Sequence, residues 1–125
     1  ADDGLDEISL ASPSHVAELN TGSIKEYQIT PAAVGIPSQS LIGLTVGDAE
    51  ESLALIKAAL GKDTDERSRK ARDMIALNAG AAIYAADIAE SLAEGVQRAQ
   101  DAIGSGLALA KMSELASFTT LFKTE

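Results

Sequence analysis

The stretch HVAELNTGSIKEYQI, residues 15–29, decides the β part of the fold. Apolar and polar residues alternate over His15–Leu19 and again over Ser23–Ile29, which is the period of a half-buried strand. Asn20-Thr21-Gly22 separates the two runs, and Asn and Gly accept the positive φ angles that tight hairpin turns require. The pattern predicts a β-hairpin.

The segments on either side of this hairpin also carry structural signals. Ile8-Ser9-Leu10 is short and apolar, which is typical of the end of a buried strand. After the hairpin, Thr30 is predicted to cap a single helical turn that begins at Pro31 and that Gly35 closes. Residues 36–46 are predicted to form a connecting loop.

From residue 48 onward the apolar residues recur at helical spacing, and capping residues mark where helices start. Four helices are predicted: from the cap Asp48 to Gly61, from about Glu66 to Ala86, from the Ser91–Glu94 capping box to Gly104, and from Gly106 toward Phe118. The chain therefore divides into a strand and hairpin region, residues 1–46, and a helical region, residues 47–125.

Composition and charge argue against several classes of function. The 125 residues suffice for one compact domain, and their net charge of −9 is unlike the basic surface that nucleic-acid binding requires. An acidic protein can still bind a phosphorylated substrate if metal ions lie between the two charges. The chain has no cysteine, and the longest uncharged stretch of its helical region, residues 74–86, is too short to cross a membrane. We expect a cytoplasmic protein.

Asp3-Gly4-Leu5-Asp6-Glu7 is the densest chemical signal in the sequence. Adjacent carboxylates supply hard oxygen ligands, which suit Mg²⁺ bound together with substrate phosphates. In a regular strand Asp6 and Glu7 would point to opposite faces, so they can share a metal site only at a strand end or in a loop. Gly4 favours such a bend. A solvated acidic patch is the alternative interpretation.

Other polar residues have simpler structural interpretations. His15, the single histidine, has no orienting partner beside it in the sequence and is predicted to be an ordinary strand residue. Arg67, Arg69, Lys70 and Arg72 could suggest a phosphate clamp, but acidic residues alternate with them. That mixture is typical of an exposed helix start with local ion pairs.

Three more features are also interpreted as structural. Gly47-Asp48 could bind an anion at a helix N-terminus, although such helix starts are mostly structural. Asn78 lies in an apolar helix and must find hydrogen-bond partners, so we interpret it as a structural cap to a neighbouring segment. Gly80 and the alanines around it are predicted to let another backbone pack closely.

The order of several motifs resembles one enzyme family along nearly the whole chain. DGLDEIS at residues 3–9, followed by Pro13 and VAEL at residues 16–19, is similar to the anthranilate phosphoribosyltransferase family of tryptophan biosynthesis. The similarity continues at residues 24–29, Pro31, Gly35, 47–51, 77–79, Ala81, Tyr84, 91–92, 94–96, Ile103, 105–106 and Ala108.

This resemblance implies a fold class, a reaction and a metal site. It implies the C-terminal part of a nucleoside-phosphorylase/phosphoribosyltransferase-type α/β domain, over residues 1–125, in a homodimer. The family transfers the phosphoribosyl group of phosphoribosyl pyrophosphate to anthranilate, and an adjacent Asp and Glu ligate the two Mg²⁺ ions that hold the pyrophosphate. These ligands match Asp6 and Glu7. No residue is assigned as a catalytic group, and neither a nucleic acid nor a membrane is expected as a partner.

Two departures from the family's pattern limit what the chain can do. Val46 stands where the family has a second Gly, which weakens any substrate role for the Gly47 region. The family's glycine-rich pyrophosphate loop and its Lys-His-Gly-Asn-Arg segment are absent. We therefore expect the 125 residues to begin partway through a gene product, as the missing initiator Met also suggests, and to be inactive alone. A non-catalytic binding module of the same fold and a free-standing helical interaction domain stay open as alternatives.

Overall fold

The structure, a computed structural model, describes residues 1–122 and contains a hairpin followed by helices. The elements are β1 (Ser14–Asn20), β2 (Ser23–Ile29), a short 3-10 helix (Pro31–Val34), α1 (Ala49–Leu60), α2 (Glu66–Ala85), α3 (Leu92–Gly104) and α4 (Leu107–Thr120). The predicted hairpin and four helices are confirmed. The last three residues of the predicted helical region, 123–125, lie outside the described residues.

The two strands of the hairpin pair along their full length. Strands β1 and β2 pair antiparallel from Ser14 opposite Ile29 to Asn20 opposite Ser23. Asn20 is thus the last strand residue, and the turn consists of Thr21 and Gly22 alone, both with positive φ angles of 48° and 81°. A two-residue turn of this kind matches the twist of the two strands.

The strand predicted at Ile8–Leu10 is wrong. This segment has no strand neighbour among residues 1–122, whose one sheet consists of β1 and β2, and Leu10 lies in a bend. Its polar groups bind other partners instead: a side-chain amide on α2 bonds Ile8, and the Gln39 N–H donates to the Leu10 carbonyl at 2.9 Å. A short apolar run indicates burial, but burial alone does not require a paired strand.

Side chains cap α1 at Asp48 and α3 at Ser91, as the sequence predicts. Thr30, predicted to cap the turn that begins at Pro31, precedes the 3-10 helix, but its side chain makes no capping bond. Asp48 accepts the Glu51 N–H at 2.8 Å and Ser91 accepts the Glu94 N–H at 3.1 Å. The carboxylates of Glu51 and Glu94 fold back toward the helix start, as in a capping box. Each accepts the backbone N–H of the residue before the cap, Gly47 or Glu90, instead of the N–H of the cap itself. Asp65 caps α2 in the same way, whereas α4 follows Gly106, whose φ is 82°.

The core lies between α2 and α3, where the two helices meet backbone to backbone. A β-carbon built on Gly80 would lie 2.5 Å from the Val96 nitrogen, and one built on Gly95 would lie 2.2 Å from the Gly80 carbonyl oxygen. The predicted close approach at Gly80 is confirmed. Around this contact the buried apolar residues form one cluster: Leu10, Val34, Ile36, Leu60, Ala76, Leu77, Val96, Ala99 and Ile103. Within residues 1–122 no helix combines the length and the apolar character needed to cross a membrane.

Candidate metal site and neighbouring cleft

Residues Asp3–Glu7 form a bend, here called the acidic turn, that precedes the buried Ser9 and Leu10. Gly4 makes the bend possible because its φ is 84°, a value that residues with a side chain rarely adopt. The Asp3 carboxylate closes the turn by accepting the Ser9 hydroxyl at 2.5 Å and the Leu5 N–H at 3.2 Å. These bonds, with that from Ser9 the strongest, lower the pKa of Asp3 below its ordinary value.

Asp6 and Glu7 are exposed and lie in the bend, not in a strand, so the alternation that would separate their side chains does not apply. Among the described residues neither carboxylate has a hydrogen-bond or ion-pair partner within the chain. Residues 1–122 also contain no group of three or more potential metal-ligating side chains. The chain itself thus offers two free hard-oxygen ligands, which fit Mg²⁺ when substrate phosphates and water complete the coordination.

A side chain of α2 holds the segment that follows these carboxylates. Asn78 accepts the Ile8 N–H through Oδ1 at 2.9 Å and donates through Nδ2 to the Ile8 carbonyl at 2.9 Å. Nδ2 also donates to the Met74 carbonyl, one turn earlier in α2, at 3.1 Å. The interpretation of Asn78 as a structural cap to a neighbouring segment is confirmed.

His15 lies on the exposed surface of β1, with its side chain 75% exposed. Its Nε2 is 3.1 Å from a carboxylate oxygen of Asp2 and 3.4 Å from the Gln28 amide. The prediction of an ordinary strand position is therefore correct, although the sequence did not indicate the Asp2 contact.

The expectation of exposed, locally paired basic residues at the start of α2 is wrong for three of the four. Arg67, Lys70 and Arg72 donate to backbone carbonyls of α1 and the loops that flank it. Arg67 bonds those of Gly43 and Thr45, Lys70 that of Ile42, and Arg72 those of Ala59, Gly61 and Asp63. Lys70 is buried, and Arg67 pairs with Glu51 of α1 at 2.7 Å. Because these three side chains already donate hydrogen bonds to backbone carbonyls, they do not form a phosphate clamp.

The N-terminus of α1 is also occupied by the protein's own groups. The Glu51 carboxylate accepts the Gly47 N–H at 2.8 Å, while the Asp48 side chain accepts the Glu51 N–H. The bond from Gly47 is the main reason that the pKa of Glu51 lies below its ordinary value. Two carboxylates at this helix start disfavour a bound anion, in agreement with the structural interpretation of Gly47-Asp48.

A cleft of about 1050 Å³ lies between the hairpin and the helices, and sequence reasoning missed it. Glu18 of β1 accepts the Tyr84 hydroxyl of α2 at 2.7 Å and the Tyr27 hydroxyl of β2 at 2.9 Å inside this cleft. Burial, and then the Glu18 carboxylate, raise the pKa of Tyr27 to about 12, and the two hydroxyls lower the pKa of Glu18. Strand alternation puts Glu18 and Tyr27 on one face, but no sequence signal indicates Tyr84.

Comparisons with known proteins agree with this fold. The family model described as "Glycosyl transferase family, a/b domain" matches residues 1–109. Anthranilate phosphoribosyltransferases of Hahella chejuensis and Marinobacter nauticus are 67% and 65% identical over 100% and 96% of the chain. The chain covers 36% and 35% of those two proteins, about a third of their length.

A solved structure gives the same result in three dimensions. The crystal structure of anthranilate phosphoribosyltransferase from Thermus thermophilus is 34% identical and superposes with a TM-score of 0.79. The superposition covers 93% of this chain and 33% of that one. The predicted α/β fold class is confirmed, with the hairpin and four helices as its local form.

Proposed function

Given that the chain belongs to the glycosyl transferase family with the α/β domain, we propose that it forms part of an anthranilate phosphoribosyltransferase. The observation that carries this proposal is the 67% identity to one such enzyme over all 125 residues. The reaction joins the phosphoribosyl group of phosphoribosyl pyrophosphate to the amino group of anthranilate in tryptophan biosynthesis. The products are N-(5-phosphoribosyl)anthranilate and pyrophosphate.

In this reaction the C1–oxygen bond of the ribose breaks and its electron pair leaves with pyrophosphate. The anthranilate nitrogen forms the new bond to C1 and loses a proton. When bound, two Mg²⁺ ions supply positive charge that neutralises and orients the pyrophosphate group. No covalent protein nucleophile is needed, and the chain's contribution is to bind and orient.

Asp6 and Glu7 are the residues we assign to hold Mg²⁺. Their carboxylates are exposed, free of partners among the described residues and located in a bend. The chain has a net charge of −9, and cations between its surface and a pyrophosphate would offset the repulsion between the two. A homodimer and a cytoplasmic location are further parts of the proposal, and both rest on the family resemblance alone.

The test uses the full-length gene product that contains this sequence. We expect it to consume anthranilate, followed by the loss of anthranilate fluorescence, only when phosphoribosyl pyrophosphate and Mg²⁺ are both supplied. Asp6→Asn and Glu7→Gln should each lower turnover by about 100-fold, because several kcal/mol of charge stabilisation depend on the ions. No consumption by the unmodified protein would refute the proposed reaction, and binding of both substrates without turnover would favour a non-catalytic binding module.

Glu26→Gln is the matched control for these variants. Glu26 is an exposed carboxylate on β2, outside the acidic turn in the sequence, and its loss changes the net charge by the same amount. We expect its turnover and its Mg²⁺ dependence to equal those of the unmodified protein. An equal loss in all three variants would show that net charge, not a metal site, underlies the effect.

A further inference from the structure

We propose that Asn78 is a positioning residue for the Asp6 and Glu7 carboxylates, an inference that rests on the proposed function of those two residues. It contacts neither carboxylate. It acts on the backbone that carries them, through the two hydrogen bonds to Ile8.

The two bonds fix the orientation of two successive peptide groups. The Ile8 N–H belongs to the planar peptide that links Glu7 to Ile8, so the bond to Asn78 Oδ1 sets the plane in which the Glu7 carbonyl lies. The Ile8 carbonyl belongs to the next peptide, and the bond from Nδ2 sets that plane as well. A single side-chain amide thereby bonds both backbone groups of Ile8, which has no strand neighbour within residues 1–122.

Asn78 is itself held in place and has little left to offer a ligand. Both Nδ2 hydrogens are used, one by the Ile8 carbonyl and one by the Met74 carbonyl at 3.1 Å. The preceding residues on α2, Ala76 and Leu77, are fully buried in the core. An amide with both donors satisfied, on a helix packed in the core, transmits the position of α2 to Ile8.

The acidic turn has a second attachment on its other side. Asp3 bonds the Ser9 hydroxyl, and the Asp3 N–H donates to the Ser12 hydroxyl at 3.2 Å. Asp6 and Glu7 make no hydrogen bond of their own in the part of the chain described, so these flanking attachments set where the carboxylates lie. Residues that orient metal ligands in this indirect way affect metal affinity without touching the ion.

The experiment compares Asn78→Ala with the unmodified full-length gene product by two measurements. One is the Mg²⁺ concentration for half-maximal turnover at saturating substrates. The other is Mn²⁺ binding in the presence of phosphoribosyl pyrophosphate, measured by electron paramagnetic resonance, which does not depend on activity. Both constants should rise by about tenfold, the usual effect of removing a residue that orients a metal ligand. Turnover at saturating Mg²⁺ should fall by less than tenfold.

Arg72→Met is the matched control, because it removes three hydrogen bonds from α2 to backbone carbonyls at and after the end of α1, far along the chain from the acidic turn. It should lower stability but leave both metal constants unchanged. If Asn78→Ala does not fold, Asn78→Gln keeps the amide and moves it by one methylene, and we expect a smaller rise in the same constants.

The outcomes separate this inference from the proposed function. If Asp6→Asn weakens Mn²⁺ binding and both Asn78 variants bind Mn²⁺ as the unmodified protein does, the role of Asn78 is wrong and the metal site stands. If Asp6→Asn and Glu7→Gln also leave Mn²⁺ binding unchanged, there is no carboxylate site to position and both proposals fall. If both metal constants rise in Arg72→Met as well as in Asn78→Ala, general destabilisation of the protein explains the effect.

Discussion

The two sides of α2 are built in different ways. Toward α3, the helix has backbone in contact with backbone, and a β-carbon on Gly80 would lie 2.6 Å from the Val96 Cα. Toward the hairpin, a cleft of about 1050 Å³ separates the elements, and a tyrosine hydroxyl bonded to Glu18 bridges it. Because the α2 and α3 backbones touch with no room for a β-carbon, the two helices pack as one unit. The hydrogen bond across the cleft, by contrast, can be broken without disturbing the core.

Adding one methyl group to the α2–α3 contact should have the largest effect on stability. Gly80→Ala places a β-carbon against the Val96 backbone, which cannot move aside as a flexible side chain could. The helix propensity of Ala favours the change by about 1 kcal/mol, but the overlap should cost more, for a net loss of about 3 kcal/mol in the free energy of unfolding. Urea denaturation measures this loss.

Gly104→Ala is the matched control on α3. A β-carbon at Gly104 meets nothing within 4 Å and the residue is helical, so we expect stability equal to or slightly above that of the unmodified protein. Equal stability of Gly80→Ala and Gly104→Ala would contradict the backbone contact, and with it the view of α2 and α3 as one rigid pair.

Breaking the bridge on the other side of α2 should have a smaller effect, confined to the hairpin. Tyr84→Phe removes the bond to Glu18 that joins residues 66 positions apart. The core cluster does not include the hairpin strands, so the helices should stay folded while the amides of β1 and β2 exchange hydrogen faster. Hydrogen exchange followed by mass spectrometry or NMR measures the difference.

Tyr27→Phe sharpens the same comparison. Its hydroxyl also bonds Glu18, but both residues belong to the hairpin, so the attachment to α2 survives. We expect hairpin exchange close to that of the unmodified protein. If Tyr27→Phe and Tyr84→Phe accelerate exchange equally, the bond within the hairpin, not the attachment to α2, controls the motion.

Most of the features that could be predicted from sequence depend on near neighbours, whereas Asn78 and Gly80 contact segments distant in the sequence. The turn at Thr21-Gly22 and the caps at Asp48 and Ser91 each involve residues within four positions, and their side chains have few alternative roles. Asn78 and Gly80 were interpreted correctly because an amide and a glycine in an apolar helix each need a specific kind of neighbour.

The features that could not be predicted depend on distant partners. Lys70 bonds a carbonyl 28 residues away, and the carbonyl of a loop residue carries no signal in the sequence. The Tyr84–Glu18 bond spans 66 residues and needs the path of the whole chain. For Asp6 and Glu7, the residues alone indicate either a metal site or an acidic patch, and the assignment to a metal stays a prediction that follows from the family resemblance.

The smallest expected effect is the response of the Glu18 bridge to pH. The pKa of Glu18 in the folded protein lies below its ordinary value of 4.5, chiefly because of the Tyr84 hydroxyl. The bridge therefore stabilises the hairpin fully above that ordinary value, and the contribution is lost as the pH falls through the folded pKa. The difference in hairpin exchange between the unmodified protein and Tyr84→Phe should accordingly shrink in acid.

At high pH, Tyr27 determines whether stability rises or falls with pH. Its pKa is raised to about 12 from an ordinary value of 10.0, so the folded protein holds this proton longer than the unfolded chain does. Stability from this group is present below the ordinary value and is lost as the pH rises from there toward the folded pKa. Ultraviolet absorbance of tyrosinate follows Tyr27 together with Tyr84, whose pKa the Glu18 carboxylate also raises. Glu18→Gln should lower the apparent pKa because it removes the carboxylate charge while leaving the burial of Tyr27. An unchanged titration in Glu18→Gln would mean that burial alone raises the pKa of Tyr27. In that case burial in the cleft, and not the hydrogen bond to Glu18, would determine how the stability of the hairpin changes at high pH.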